Sequence, residues 1–147
     1  MATADFLVVP QGLPDPALSL DALSADAASF AAMFDGGRLD ESLDLEGLDG
    51  VVIVDRVHVE AEMRGRGLGP LLVAEALHRL GRDCAAAACD DSPLGTSDCA
   101  DRSAIRRMIR DFGFGEWRDG LWILDLATTG LEATRQSIHE ARLRSVD

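Results

Sequence analysis

Nine residues in the middle of this chain leave its fold little choice. Val51-Val52-Ile53-Val54-Asp55-Arg56-Val57-His58-Val59 carries six β-branched residues and no helical period, which predicts a central strand. Arg64-Gly65-Arg66-Gly67-Leu68-Gly69 follows shortly after it. Pro70 then heads a helical periodicity of Leu71, Leu72, Ala74, Ala76, Leu77 and Leu80 that stops at Gly81, so Pro lies in the first turn and Gly just past the end. Strand, glycine loop and helix amino terminus together make a place for an anion. Glycines let the backbone come close, successive N–H groups form a nest, and the helix end adds partial positive charge. The dinucleotide fingerprint G-x-G-x-x-G fails, since from Gly65 it requires glycine where Pro70 stands. All 14 basic residues are Arg, so the P-loop, which needs Lys against the terminal phosphates, is excluded with every other lysine chemistry.

The rest of the chain reads around this unit. Phe6–Val9, ended by Pro10, suits an edge strand. Leu18, Leu20, Leu23, Ala27, Phe30, Ala31 and Phe34 recur at helical spacing across Ala17–Phe34, one helix or two with Ser24 as an internal cap, up to Gly36-Gly37. Arg38–Gly50 is acidic and Gly-punctuated, a loop or weak helix. Cys84–Cys89 is six apolar residues between charged pairs, which favours a buried strand although alanine prefers helix. Asp90–Cys99 reads as a loop. Asp101 or Ser103 caps a helix whose apolar face is Ala104, Ile105, Met108, Ile109 and Phe112, ending at Gly113, with Arg102, Arg106, Arg107 and Arg110 on its other side. Asp119-Gly120 joins Phe114–Arg118 to Leu121–Ala127 as a hairpin. Leu131–Arg144 reads as a last amphipathic helix, and 147 residues without a repeat predict one domain over 1–147.

Composition narrows the function. Twenty-six acidic residues against 14 Arg give −12, a field that repels nucleic acid and anionic lipid. The charge is lopsided, with eleven carboxylates and one Arg up to Asp55, which leaves the remainder, at −2, free to hold an anion. No apolar run approaches the roughly 20 residues of a membrane span, and Met1–Pro10 lacks the basic start of a secretory signal, so a cytoplasmic chain is expected. Cys84, Cys89 and Cys99 match no metal-ligand spacing and are expected to be reduced, with no metal.

Arg64-x-x-Gly67-x-Gly69 behind a β-branched strand resembles the [QR]-x-x-G-x-[GA] motif of the GNAT superfamily of N-acetyltransferases. The order downstream is similar too: strand at 84–89, helix at 101–112, Gly113-Phe114, then a hairpin. The resemblance covers about residues 51–127, with 1–50 divergent or shortened and 131–147 a carboxyl-terminal helix or tail. It implies an α/β fold with a mixed, mostly antiparallel sheet, helices on both faces, and splayed strands forming a cleft for acetyl-CoA or another acyl-CoA. The main chain of Arg64, Gly65, Arg66, Gly67, Leu68 and Gly69 would hold the pyrophosphate. Val57, His58 and Val59 would bond the pantetheine arm, and Cys84–Cys89 would form the opposite wall. The implied activity is transfer of an acyl group to a primary amine. The alternative is a non-catalytic acyl-CoA-binding or interaction module, either of which a homodimer would suit.

Acyl transfer asks for a base, stabilisation of a tetrahedral oxyanion, and an acid for the leaving thiolate. Strict alternation puts Ile53, Asp55, Val57 and Val59 on one face, which makes Asp55 a carboxylate in an apolar row and the candidate base. His58 falls on the other face. The acid is a departure from the family pattern: Ile109 stands where a Tyr is common, Arg102 where an Asn is, and the chain has no Tyr. Cys89, Ser92 or water would have to substitute. Asp90 and Asp91 are candidates for attracting a cationic amine at the mouth, beside the plain reading of a solvated acidic loop. A second departure is the 15 or so residues between Asp35 and Val51, where one short strand fits. Either the domain is abbreviated there or an upstream piece is lacking.

Overall fold

The β-branched run folds as predicted, into the longest strand of a five-stranded sheet. The structure, a computed structural model, describes residues 2–10, 13–23, 28–35, 38–43, 50–63, 68–91, 106–107, 109–118, 120–126 and 131–145. In chain order the strands are β1 (Ala2–Val9), β2 (Phe34–Asp35), β3 (Arg38–Leu39), β4 (Gly50–Val59), β5 (Cys84–Asp90), β6 (Gly115–Arg118) and β7 (Leu121–Asp125). The helices are α1 (Pro16–Leu23), α2 (Leu68–Leu80), α3 (106–112) and α4 (Leu131–Ser145). The main sheet has the order β1-β4-β5-β7-β6, and β2 and β3 form a separate ribbon. Within the main sheet β4 and β5 run parallel and all other neighbours antiparallel. The α/β class and the mostly antiparallel sheet with helices therefore stand, as does the edge position of the first strand.

Alternation along the strands sorts the core into two layers. On one face Val52, Ala87, Cys89 and Trp122 pack with Val73, Ala74 and Leu77 of α2, Ile109 and Phe112 of α3, and Ile138 of α4. On the other, Val9, Val51, Ile53, Ala88 and Leu121 pack with Leu20 of α1 and with Phe30 and Met33. Each fully buried aliphatic side chain of this kind contributes about 1.5–3 kcal/mol. β5 sits at the middle of the sheet with both faces covered, and Ala86, Ala87 and Ala88 are wholly inaccessible. Burial between two layers and ladders on both sides override alanine's helical preference here.

Of the helical reading over Ala17–Phe34, α1 covers Pro16–Leu23, Ala28 is helical and a 3-10 turn covers Ser29–Met33; residues 24–27, with Ser24, lie outside the described residues. Phe30 and Met33 are buried from the 3-10 turn, as their spacing predicted. Arg38–Gly50 contains β3 and a 3-10 turn at Glu41–Leu43. At the end of α3, Phe114 N–H reaches Ile109 O (3.2 Å) and Gly113 N–H reaches Arg110 O (3.0 Å), with Gly113 at φ 118°. This is a Schellman cap, closed by the apolar contact of Phe114 with Ile109 in one cluster. Gly120 (φ 76°) makes the tight return from β6 to β7.

Candidate functional site

The parallel ladder between β4 and β5 stops short. Its last pair is Val54 with Cys89, yet β4 runs on for five residues, Asp55–Val59, of which, among the described residues, Arg56–Val59 pair only with β1 and Asp55 pairs with neither strand. β5 meanwhile turns its allegiance to β7: Cys89 pairs with Trp122, Asp90 with Leu121, and the Asp91 N–H continues to Gly120 O at 3.0 Å. A notch results between the carboxyl ends of two parallel strands, the end of an open α/β sheet where ligands commonly bind. One wall is a strand whose edge has no strand partner among the described residues. Because strand N–H and C=O groups alternate in direction, every second residue of Asp55–Val59 turns its main-chain groups toward the notch.

A β-bulge lies at the head of that free stretch. Asp5 pairs with Arg56 and Phe6 with Val54, so Asp55 is the extra residue on β4. The bulge slips the alternation: Val57 packs with Val52 and Val54 on the α2 face, not with Ile53 on the α1 face. The expectation that Ile53, Asp55, Val57 and Val59 share one apolar row is therefore corrected, because strict period-2 reasoning cannot survive an inserted residue. Asp55 is half-buried, two residues after Ile53 but outside the apolar row that was to surround it. His58 is exposed and stands opposite Thr3, while Val59 stands opposite Ala2.

Of the glycine loop, Arg64, Gly65, Arg66 and Gly67 lie outside the described residues, and Leu68 and Gly69 open α2. Gly69 is buried and Pro70 occupies the first turn. Glu60–Met63, with a 3-10 turn closed by Met63 N–H to Glu60 O at 2.8 Å, leads from β4 toward this helix. The order strand, connection and helix is thus present, at the same end of β4 as the notch.

Asp91 is not part of a solvated loop. It is fully buried, and its Oδ2 accepts from Arg106 Nε at 2.6 Å and from Trp122 Nε1 at 3.1 Å. This carboxylate ties the end of β5 to α3 and β7. It also raises the already high Arg106 pKa through that hydrogen bond and its charge. Asp90, half-buried, makes a long 3.5 Å contact with Ser29 Oγ. The roles of Arg106 and Trp122 were missed in the sequence, where Arg106 reads as one of four arginines on the side of the helix opposite its apolar face. A charged pair directly behind a wholly apolar strand was the available signal, since the first residues past a buried strand are still inside.

Cys89 marks the last rung of the ladder. Burial pushes its thiol far above the ordinary value of 9.0, and the nearby Asp90 and Asp91 charges push the same way. Such a thiol gives up its proton less readily than a free one, which makes Cys89 a poor acid. Ile109, at the position where a Tyr was sought, is buried apolar packing. Ser92 lies outside the described residues. Among the described residues no cluster of His, Cys, Asp or Glu could hold a metal ion, and no helix is long and apolar enough to cross a membrane.

Fold and site together define a three-layer α/β protein with a notch between two parallel strands and a helix that begins just beyond it. Comparison with protein-family models, curated proteins and solved structures finds no match.

Proposed function

We propose that the chain is an acyl-CoA-dependent N-acyltransferase of the GNAT type. The observation that carries this reading is the notch: β4 outruns its pairing with β5 by five residues, and its free main-chain groups suit an extended ligand bearing amides, as the pantetheine arm does. Among Val57, His58 and Val59, the alternate residues whose main chain faces the notch would supply those contacts. The motif residues Arg64–Gly69, at the entry to α2, would take the phosphates. Asp55, beside the last paired rung, would accept the proton as the amine attacks the thioester carbonyl. The C–N bond forms, the C–S bond breaks, and CoA leaves as a thiolate that water protonates. A cationic amine suits the acidic amino-terminal half. The test is calorimetric titration with acetyl-CoA, followed by thiol release with a panel of amines. Gly67→Val should abolish binding without unfolding the chain, and a variant that binds as the parent does would place the site elsewhere.

A second reading, an acyl-CoA-binding module without turnover, is favoured by one observation: Ile109, at the position where the family commonly has Tyr, is buried apolar packing, and burial raises the pKa of the Cys89 thiol. Acetyl-CoA bound with no thiol released by any amine is its signature.

A further inference from the structure

Asp91 is wholly buried, yet the cation paired with it is not. The Arg106 side chain is 43% exposed, and its contact with Asp91 Oδ2 runs through Nε, at 2.6 Å. This spends one edge of the guanidinium and leaves the terminal Nη1 and Nη2 groups, which hydrogen-bond none of the described residues. Asp91 is itself held in place, since Trp122 Nε1 donates to the same oxygen at 3.1 Å. One helical turn along α3, the Arg110 guanidinium lies over the ring of that same Trp122, 5.7 Å from its centroid, and makes no hydrogen bond with a described residue. Ordering a free arginine side chain costs about 1.5–2 kcal/mol; here pairing and stacking within the fold offset that cost, while most of the N–H donors stay unspent. Asp91 lies two residues beyond Cys89 and so on the same face of β5, the face that carries α2 and α3. On that face the carboxyl ends of the two parallel strands have the start of α2 beyond β4 and the arginine pair beyond β5.

We propose that Arg106 and Arg110 form a phosphate site beside the notch, with Asp91 and Trp122 as the positioning residues that hold the two guanidiniums. Arginine binds phosphate through paired N–H groups on its planar fork, and two forks offered from successive turns of one helix suit a tetrahedral group with several terminal oxygens better than a planar carboxylate. Asp91, and to a lesser degree Glu116 of β6, stabilise the Arg106 charge, so the pair is no bare positive patch and its selectivity rests on donor geometry. The ligand assignment deepens the acyl-CoA reading and rests on it. CoA bears a phosphate monoester on its ribose besides the pyrophosphate, and with the pyrophosphate at the start of α2 the monoester is the group that meets α3.

The experiment is calorimetric titration of the full chain with acetyl-CoA and with acetyl-3′-dephospho-CoA, for the parent, Arg110→Gln and Asp91→Asn, each checked for folding by circular dichroism. The parent should prefer acetyl-CoA by at least about tenfold. Arg110 is exposed, so Arg110→Gln should keep the fold and the affinity for the dephospho ligand while the preference falls to about threefold or less. Asp91→Asn should lower the preference in the same way, whereas a merely structural role would weaken both ligands alike; full preference in that variant would overturn the positioning role. Should Asp91→Asn fail to fold, Arg110→Gln decides alone. A parent that binds both ligands equally, or an Arg110→Gln that weakens both alike, would overturn the inference and leave the acyl-CoA reading standing. If the parent binds neither, inorganic phosphate is the probe. A saturable shift of the Trp122 indole N–H resonance that is lost in Arg110→Gln would uphold the site and refute the acyl-CoA reading, and no shift would refute both.

Discussion

The chain contains neither Tyr nor Lys, so above about pH 8 the side chains that titrate are its cysteine thiols, and alkaline stability becomes a direct probe of Cys89. In the unfolded chain that thiol ionises near its ordinary value of 9.0; in the native state burial raises its pKa well beyond this. The sign follows from proton counting. Above pH 9 the unfolded state holds fewer protons than the native one, so the stability this thiol confers is complete below its unfolded pKa and lost as pH rises past it. The slope approaches about 1.4 kcal/mol per pH unit, giving a loss of about 2.7 kcal/mol by about pH 11. Cys89→Ala removes that dependence and, by leaving a small void, costs about 1 kcal/mol at neutral pH. Urea unfolding of parent and variant, under reducing conditions from about pH 7 to 11, should therefore show the parent ahead at neutral pH, a crossing close to pH 10, and the variant ahead by about 1.5 kcal/mol at the top of the range. Both proteins carry Cys84 and Cys99, so the difference isolates Cys89. A gap that stays constant over the whole range would refute the burial of this thiol and return Cys89 to the list of proton donors.

Three further outcomes follow from the same geometry. Gly50→Ala should destabilise by about 3 kcal/mol in chemical denaturation, because its Cβ would collide with the main-chain carbonyl oxygen of Val9, which a side-chain shift cannot relieve; Gly115→Ala, with nothing near its Cβ, should stay within about 0.5 kcal/mol of the parent. Ile109→Tyr should cost about 1–3 kcal/mol by overpacking the α3 layer and should not raise turnover, whereas unchanged stability would mean that the position opens toward the notch. Asp40 has a lowered pKa because the Ser42 hydroxyl and N–H bond its carboxylate and Arg118 lies beside it, so its contribution is present above the unfolded carboxylate pKa and lost as pH falls through the lower native one. Thermal melts of Asp40→Asn should show a smaller drop between neutral pH and about pH 3 than the parent's, and equal drops would remove Asp40 from the acid transition.

Where local pattern and burial agree, the fold was legible. The β-branched run, the Pro70-to-Gly81 helix, the alanine strand and the Asp119-Gly120 hairpin each had a boundary residue as well as a period, and each formed within a residue or two of its predicted limits. The run Ala17–Phe34 had the period but no sharp end, and its last turn, Ser29–Met33, tightens to 3-10 geometry while still burying Phe30 and Met33. The candidate site was legible to one decimal of register and no further. Asp55 could be placed on the right strand beside the right break, but a bulge is a relation between two strands, written partly in Asp5 and Phe6 on β1. Asp91 shows the same limit: its burial depends on Trp122 and Arg106, respectively 31 and 15 positions away.

The lopsided charge acquires a meaning once the layers are assigned. Among the described residues of 10–49, the source of α1, two 3-10 turns and the β2–β3 ribbon on one face, stand the carboxylates Asp15, Asp21, Asp35, Asp40 and Glu41 against Arg38 alone. On the other face stand α2 and α3, which carry Arg79, Arg106, Arg107 and Arg110. The sheet separates a strongly negative layer from one far richer in arginine, and the notch is a gap in that sheet at the carboxyl ends of β4 and β5. A field of this form orients a ligand that is anionic at one end and meets a cation at the other. On the acyl-transfer reading those are the phosphates of CoA and the ammonium of the acceptor, brought from opposite faces to a thioester lying between Asp55 and the end of β5. The acidic half then serves the reaction by raising the local concentration of the amine, and salt should weaken acceptor binding more than CoA binding, because the acceptor's attraction is spread over a solvated layer while the phosphates are held by directed main-chain hydrogen bonds.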